Sequence, residues 1–265
     1  MRQFVCPSHP GVDGKIRLSS KDSRYLLKVL RQEDGDIIDV RLPDGNLCKM
    51  RLTLSGTDAF LTVTAETEKN AVVQGVRSEE LSHSGETLEL WLFQFLPKPQ
   101  KMDLIVRQAT ECGVSRIVPI AGDYSVKNDA DARIDRWERI IREARQQSGS
   151  PVATEIMQVM SVEQAVDIWN NGEDAAAFVL HESPSYSAES LQKAADSGKV
   201  RKAAVAVGCE GGISERELDV LKKAGFGPLH FATNVLRAET AALYGLAVVQ
   251  QTLVGGLEKD GRNKN

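Results

Sequence analysis

The stretch that most constrains the fold is an apolar run that stops abruptly at a glycine-rich loop. Residues 203–207 read Ala-Ala-Val-Ala-Val, and Gly208, Gly211 and Gly212 follow within five positions. Such a run is typical of a buried strand, and we expect the bare glycines to let a ligand approach the backbone. Ser214-Glu215-Arg216-Glu217 then matches a capping box, which predicts a helix directly after the loop. Strand, loop and helix N-terminus together predict a pocket rich in free backbone N–H groups.

The spacing of these glycines excludes two common nucleotide-binding motifs. It is not G-x-G-x-x-G, and no Lys-Ser/Thr pair follows as in a P-loop. On its own the loop predicts a small polar ligand held by the backbone, or an ordinary glycine-rich turn. Three glycines around the charged Glu210 exceed what a turn needs, and this favours the ligand.

A second loop, residues 234–241, reads Asn-Val-Leu-Arg-Ala-Glu-Thr-Ala. It places Arg237 and Glu239 two positions apart, beside Thr240 and ahead of a helix of small residues. A charged pair at this position either caps the helix or takes part in chemistry. The presence of two such loops after two successive strands favours chemistry.

The chain divides by pattern into two predicted domains. Residues 1–72 alternate short apolar runs with turn signals and predict a small β-barrel with one helix at 20–30. Residues 73–86 are polar and turn-rich, which is typical of a linker. Over 87–265 apolar runs alternate with helical patterns, and this predicts an α/β domain with a parallel sheet covered on both faces.

Composition excludes several classes of protein. The four cysteines (Cys6, Cys48, Cys112, Cys209) lie far apart without metal or disulfide spacing, so we expect no metal and a reducing cytoplasm. No apolar stretch looks long enough to span a bilayer and no signal peptide is visible, so we expect no membrane association.

The net charge of −4 at first argues against an RNA-binding protein. Residues 1–31, however, carry seven basic and two acidic groups, and a local basic surface is enough for phosphate contact. Arg24, Lys28 and Arg31 are spaced to share one face of the predicted helix. From charge alone, RNA contact and a solvated surface are equally good interpretations.

Taken together, the two loops resemble the signature of a known family. Gly-x-Glu-Gly-Gly-x-Ser at 208–214 followed by Leu-Arg-x-Glu-Thr-Ala at 236–241 is similar to the ribosomal RNA uracil-N3 methyltransferases of the SPOUT (trefoil-knot) class. Further segments stand in family order, including Lys101-Met102-Asp103-Leu104-Ile105 and Leu180-His181-Glu182. The resemblance covers essentially the whole chain.

The resemblance implies a fold, an activity and partners. The fold would be a C-terminal SPOUT-like α/β domain with a parallel sheet and a trefoil knot, preceded by a PUA-like β-barrel used for RNA. The activity would be methylation of N3 of a uridine in 16S ribosomal RNA, free or in the small subunit, with S-adenosylmethionine as cofactor. A homodimer is implied as well. A ribose 2′-O-methyltransferase of the same class and a non-catalytic RNA-binding assembly factor stay as alternatives.

The resemblance also assigns site residues. Residues expected to bind the cofactor are Leu180, His181, Glu182, Gly208, Glu210, Gly211, Gly212, Ile213, Ala232, Asn234, Leu236 and Thr240. Residues expected to contact RNA are Arg2, Arg24, Lys28, Arg31, Lys98, Lys101 and Lys127. The catalytic candidates are Arg237, which would steady the uracil oxygens or a phosphate, and Glu239 or Glu210, either of which would accept the N3 proton. His181 fits a loop hydrogen bonder better than a general base.

Four departures from the family pattern bear on these assignments. Cys209 stands where the family usually has Pro, and Ala232 stands where it has Gly. Asn234 and Ser150 each replace a family Arg. The change at Ala232 predicts a slightly shifted cofactor loop.

Overall fold

The computed structural model describes residues 3–56, 58–64, 88–125, 133–169 and 172–263. Contacts divide the chain into two compact units, Met1–His83 with Arg145–Ala153 and Ser84–Ala144 with Thr154–Asn265. The inclusion of 145–153 in the first unit is not expected from the sequence. The predicted linker 73–86 lies outside the described residues, and the predicted domain boundaries stay a prediction.

The first unit is built on a five-stranded sheet. Its strands are β1 (Phe4–Val5), β2 (Lys15–Arg17), β3 (Ile37–Arg41), β4 (Leu47–Ser55) and β5 (Asp58–Val63). Their spatial order is β1-β3-β4-β5-β2, with β1 parallel to β3 and the other pairs antiparallel. Alternate residues of β4 and β5, including Met50, Leu52 and Leu61, are fully buried in one core. The β-rich N-terminal unit is therefore confirmed.

The predicted helix at 20–30 takes an unusual form. An α-helical turn, α1 (Ser20–Arg24), is capped by Ser19 and runs into a π-helical turn, Tyr25–Val29, which packs Leu26 into the core. Arg31 lies beyond the helix end with φ +57°. The expectation that Arg24, Lys28 and Arg31 share one helical face is therefore wrong for Arg31, because its backbone is left-handed.

The second unit is a parallel α/β sheet. Its strands are β6 (Glu89–Phe95), β7 (Arg116–Ile120), β8 (Glu155–Ile156), β9 (Ala175–Leu180), β10 (Lys202–Val207) and β11 (Phe226–Leu229). They lie in the order β11-β9-β10-β6-β7-β8, and every pair is parallel. The run 203–207 forms the buried part of β10, between β9 and β6, as its lack of polar residues predicts.

Helices cover both faces of this sheet, as predicted. They are α2 (Pro99–Glu111), α3 (Ile134–Ser148), α4 (Val162–Asp167), α5 (Glu189–Asp196), α6 (Glu215–Lys223) and α7 (Ala238–Asn263). One face packs against apolar residues of α2, α3, α5 and α7, and the other against α4 and α6. In α2 the buried residues include Met102, Ile105, Val106 and Ala109, the stripe expected from helical spacing.

Helix α7 corrects one expectation from the sequence. Its segment Ala238–Leu257 is long and apolar enough to cross a membrane by length and composition, although we expected no such stretch. Ala242, Leu246, Val249 and Leu253 of this helix are buried in the core of the second unit. A buried core helix meets the same criteria of length and composition, so these criteria are only weak evidence that α7 spans a membrane.

Candidate active site

A pocket opens where three neighbouring strands of the second unit end. Because β9, β10 and β11 are parallel, the loops after them emerge at the same edge of the sheet. They enclose a cavity of about 230 Å³. Ten of the twelve residues expected to bind the cofactor line it: Leu180, His181, Glu182, Gly208, Glu210, Gly211, Gly212, Ile213, Asn234 and Leu236.

Two expected cofactor residues do not line this cavity, and nine unexpected ones do. Ala232 and Thr240 are absent from the lining, and both are exposed. The lining also includes residues that sequence reasoning missed: Val207, Cys209, Leu229, His230, Phe231, Thr233, Val235, Ala238 and Ala241. Most are apolar neighbours of the predicted residues. They lie immediately before or within the same loops, and this position in the sequence could have identified them as lining residues.

The glycine loop folds tightly on itself. The N–H of Gly212 donates to the carbonyl of Cys209 at 3.0 Å, and Gly212 has φ +79°. A Cβ on Gly208 would lie 2.9 Å from the Gly212 carbonyl carbon, and one on Gly211 would lie 2.8 Å from the Cβ of Tyr124. The expectation that these glycines clear space for a ligand is therefore corrected for Gly208 and Gly211, where they clear space for the protein's own backbone and for Tyr124.

The helix after the loop begins as the capping box predicts. The hydroxyl of Ser214 accepts from the N–H of Glu217 at 3.3 Å, and the Glu217 carboxylate accepts from the N–H of Ser214 at 3.0 Å. Glu217 is almost completely buried and also accepts from the N–H of Asp123 at 2.7 Å. The start of α6 is thereby attached to the loop that follows β7.

One ammonium group bridges two of the catalytic candidates. Lys101, in the first turn of α2, places its Nζ 3.2 Å from Glu210 Oε1 and 3.2 Å from Glu239 Oε2. Glu210 Oε1 also accepts from the N–H of Lys98 at 3.3 Å. Lys101 is one of the residues expected to contact RNA, and that assignment stays a prediction.

The charges of this cluster shift the pKa values of Glu210 and Lys101. Partial burial acts to raise the pKa of Glu210, but backbone N–H groups and the Lys101 ammonium together hold it below its usual value. Burial likewise acts to lower the pKa of Lys101, but its contacts with Glu239 and Glu210 raise it overall. Of these three side chains Glu210 lines the pocket, and Lys101 contacts both Glu210 and Glu239 beside it.

Arg237 is placed differently from the pair Lys101 and Glu239. It immediately precedes α7, where its carbonyl accepts from the N–H of Ala241 at 2.7 Å. Its side chain is exposed and has no ion pair or side-chain hydrogen bond with any residue that the structure describes. Arg237 is therefore available to an external group, and Glu239 does not pair with it.

His181 is held by the loops on both sides. Its Nδ1 accepts from the N–H of Ser183 at 3.0 Å, and its carbonyl lies 3.2 Å from Nδ1 of His230. Its ring packs edge-on against Tyr186, with centroids 5.2 Å apart. These contacts agree with a role as a loop hydrogen bonder, because Nδ1 is already engaged.

The remaining candidates are distributed over both units. Arg24, Lys28 and Arg31 are exposed on the first unit, and Lys98 is exposed just before α2. Arg2 and Lys127 lie outside the described residues. Within the described ranges, no group of three His, Cys, Asp or Glu side chains is arranged to hold a metal ion.

Comparison with known proteins identifies the family. Residues 84–250 match the family model described as RNA methyltransferase domain. The chain is 29% identical over 245 residues to Ribosomal RNA small subunit methyltransferase E 2 of Borreliella burgdorferi, covering 88% of this chain and 90% of that protein. It is 25% identical over 245 residues to Ribosomal RNA small subunit methyltransferase E of Bacillus subtilis, covering 88% of each.

A solved structure shares the fold. Ribosomal RNA small subunit methyltransferase E from Neisseria gonorrhoeae bound to S-adenosyl methionine matches with a TM-score of 0.76 at 22% identity, covering 95% of this chain and 97% of that one. The family model spans well over half of this chain. The chain therefore belongs to the RNA methyltransferase family and is an RNA methyltransferase.

Proposed function

We propose that this enzyme transfers the methyl group of S-adenosylmethionine to N3 of a uridine in 16S ribosomal RNA. The observation that carries the proposal is the glycine-loop pocket with the cluster of Lys101, Glu210 and Glu239 beside it. The relatives from B. burgdorferi and B. subtilis are named as small-subunit ribosomal RNA methyltransferases, which supports this class of substrate.

The cofactor would occupy the pocket at the ends of β9, β10 and β11. Its lining combines apolar side chains with backbone groups of the glycine loop, which suits a ligand with a nucleoside and an amino-acid part. The structural relative from N. gonorrhoeae is bound to S-adenosyl methionine, which supports this choice of cofactor. When bound, the cofactor supplies the electrophilic methyl group.

The residues beside the pocket fit the demands of the acceptor. Uridine N3 carries a proton at neutral pH, so a base must remove it, a step of the kind worth about 10²–10⁴-fold in rate. Glu239 or Glu210 is the base in this proposal, and Arg237 holds the uracil oxygens or an adjacent phosphate. N3 lies on the Watson–Crick edge, so the uridine must be unpaired or flipped out to reach them.

We further propose that the enzyme is a cytoplasmic homodimer that packs partly through residues 241–254 of α7. One side of this segment is buried in the core, with Ala241 and Val248 packed against it, whereas Tyr244 and Ala247 are apolar and exposed. Leu104 of α2 is a further exposed apolar residue of the same unit. Sedimentation at micromolar concentration should give a dimer, and a monomer would contradict this proposal.

The cofactor and acceptor proposals are tested on the purified protein. Calorimetry should show binding of S-adenosylmethionine and of its demethylated product. Isotopically labelled cofactor should transfer its methyl group to 16S RNA or to small ribosomal subunits. Absence of cofactor binding would contradict the assignment of the pocket, and binding without transfer to either RNA would contradict the proposed acceptor.

A further inference from the structure

The cation of the charge cluster occupies an unfavourable position for a lysine. Lys101 is in the first turn of α2, where the helix dipole disfavours a positive charge. The sequence places no acidic residue in that turn to offset it. Its partners Glu210 and Glu239 come instead from the glycine loop and from the first turn of α7. Local helix stability therefore does not explain this lysine.

The two carboxylates share this one cation through one oxygen each. Oε1 of Glu210 and Oε2 of Glu239 face Lys101 Nζ at 3.2 Å, and Oε2 of Glu239 is fully buried. The contact with Glu239 is an ion pair without the alignment of a hydrogen bond. Among the residues that the structure describes, no other side chain forms an ion pair with either carboxylate. Two acids and one base leave the cluster with a net negative charge.

This net charge argues against Lys101 as a phosphate contact. A phosphate approaching Lys101 would meet two carboxylates that already neutralise the ammonium, and it would be repelled by the excess negative charge. Exposed lysines without acidic partners serve that purpose better. The contacts of Lys101 instead connect α2 to the glycine loop and to α7, the two elements that carry the candidate bases.

We propose that Lys101 is a positioning residue for methyl transfer, which fixes Glu210 and Glu239 so that a carboxylate oxygen of one of them accepts the N3 proton. This inference rests on the proposed function, because it assumes a carboxylate base acting on the acceptor. Without Lys101, two neighbouring carboxylates would repel each other and the pKa of one would rise, as in carboxylate pairs generally.

The test is a pH profile of single-turnover methyl transfer at saturating S-adenosylmethionine and RNA. We expect Lys101→Met to lower the plateau rate at least tenfold and to move the acid limb of the profile upward by about one pH unit. Lys101→Arg keeps the charge, so its acid limb should stay near that of the wild type. Lys193→Met removes an exposed lysine of α5 and serves as a matched control with an unchanged profile.

Three further measurements separate this role from others. Affinity for S-adenosylmethionine, the melting temperature and the salt dependence of RNA binding should be nearly unchanged in Lys101→Met. If this variant melts early, Lys101→Gln replaces it, because Gln keeps a donor without the charge. An unchanged acid limb in Lys101→Met would overturn the proposal. A decrease of about one unit in the salt slope of RNA binding would also overturn it, because this decrease indicates a lost phosphate contact.

Failure of this inference is distinguishable from failure of the proposed function. If the wild-type enzyme makes no N3-methyluridine, the proposed function is wrong and the inference loses its basis. If the wild type makes it and Lys101→Met shows the same acid limb, only the positioning role is wrong.

Discussion

Glu239 forms its ion pair with Lys101, at 3.2 Å across two helix starts, and not with Arg237 two positions before it. If Arg237 and Glu239 only capped α7, we would expect their side chains to contact each other or the first backbone N–H groups of the helix. This arrangement leaves the Arg237 side chain exposed and without a described partner, beside a carboxylate fixed by another residue.

Arg237→Ala should therefore leave the fold intact and impair catalysis. The melting temperature and the affinity for S-adenosylmethionine should match those of the wild type, because the side chain makes no described contact. The single-turnover rate should fall by about 10²-fold or more, as expected for a group that acts mainly in the transition state. A normal rate at saturating RNA would contradict this assignment.

Glu239→Gln should show a comparable loss of rate with a small loss of stability. The variant loses the ion pair with Lys101, and partly exposed ion pairs of this kind contribute little to stability. Single-turnover kinetics corrected for the folded fraction measure the effect. If the whole loss of activity follows the loss of folded protein, Glu239 has only a structural role.

Gly208→Ala should weaken cofactor binding by at least tenfold. Its new Cβ would lie 2.9 Å from backbone of Gly212, so the loop must open to accept it. Gly255→Ala is the matched control. Gly255 lies in helix α7, and a Cβ at this position would meet nothing within 4 Å. We expect the control to bind the cofactor normally and to be about 0.5–1 kcal/mol more stable. Calorimetry decides, and equal affinities for the two variants would contradict the structure of the loop.

Arg145→Met should stabilise the first unit. The Arg145 side chain is only 7% exposed, and its buried Nε and Nη2 have no hydrogen-bond partner among the residues that the structure describes. Burial, with a smaller contribution from the Arg41 charge, lowers its pKa, so the charged form is disfavoured there. Replacement by an apolar side chain of similar length should raise the free energy of unfolding by about 1–3 kcal/mol. Denaturant unfolding measures this change.

Arg41→Met is the contrasting variant. Its guanidinium is equally buried, but it donates to Gln3 Oε1 at 2.9 Å and to the carbonyls of Gly45 and Gly149 at 2.8 and 3.2 Å. Its removal leaves those acceptors without a donor and should destabilise the unit. A loss of stability in both variants would show that Arg145 is satisfied in solution.

Acidification should destabilise the second unit through Arg216. Hydrogen bonds from Arg216 and Ser214 hold the pKa of Asp123 below its usual value. The pKa of Glu163 is also lowered, mainly by hydrogen bonds from its backbone and from Ser161 and to a smaller extent by Arg216. Because the folded-state pKa values are depressed, this stabilisation is present above the unfolded values of about 4 and is lost as the pH falls through the folded values. Arg216→Gln should reduce this pH dependence in urea titrations. An unchanged dependence would contradict the pairing.

Lys28→Ala with Arg31→Ala should weaken RNA binding without affecting cofactor binding. Both side chains are exposed, and each lost phosphate contact should reduce the slope of log affinity against log salt by about one unit. Lys193→Ala supplies a control for a lysine lost elsewhere. An unchanged slope would place the RNA on another surface, such as the arginine-bearing helix α3.

Local signals in the sequence predicted the elements that form the site. Residues 203–207 form the buried part of β10, and Ser214 and Glu217 form the capping box that starts α6. Such features depend on apolar runs and on capping chemistry between near neighbours, so a single sequence contains them. The family resemblance then supplied the cofactor and the roles of individual residues.

Contacts between distant positions could not be predicted in the same way. Lys101 meets Glu210 and Glu239 because three elements end at one edge of the sheet, and the sequence alone does not fix their side-chain directions. The π-helical turn at Tyr25–Val29 and the left-handed Arg31 depend on how Leu26 packs into its core. The packing of Gly211 against Tyr124 is likewise a tertiary contact.

The most direct test of the central proposal is to identify the methylated atom. The purified enzyme is incubated with deuterium-methyl S-adenosylmethionine and 16S RNA or small subunits, and the RNA is then digested to nucleosides for chromatography and mass spectrometry. We predict label in 3-methyluridine, with none in 2′-O-methyluridine, and its loss in Arg237→Ala. Label in the ribose fragment, or in a nucleoside other than uridine, would contradict N3 methylation.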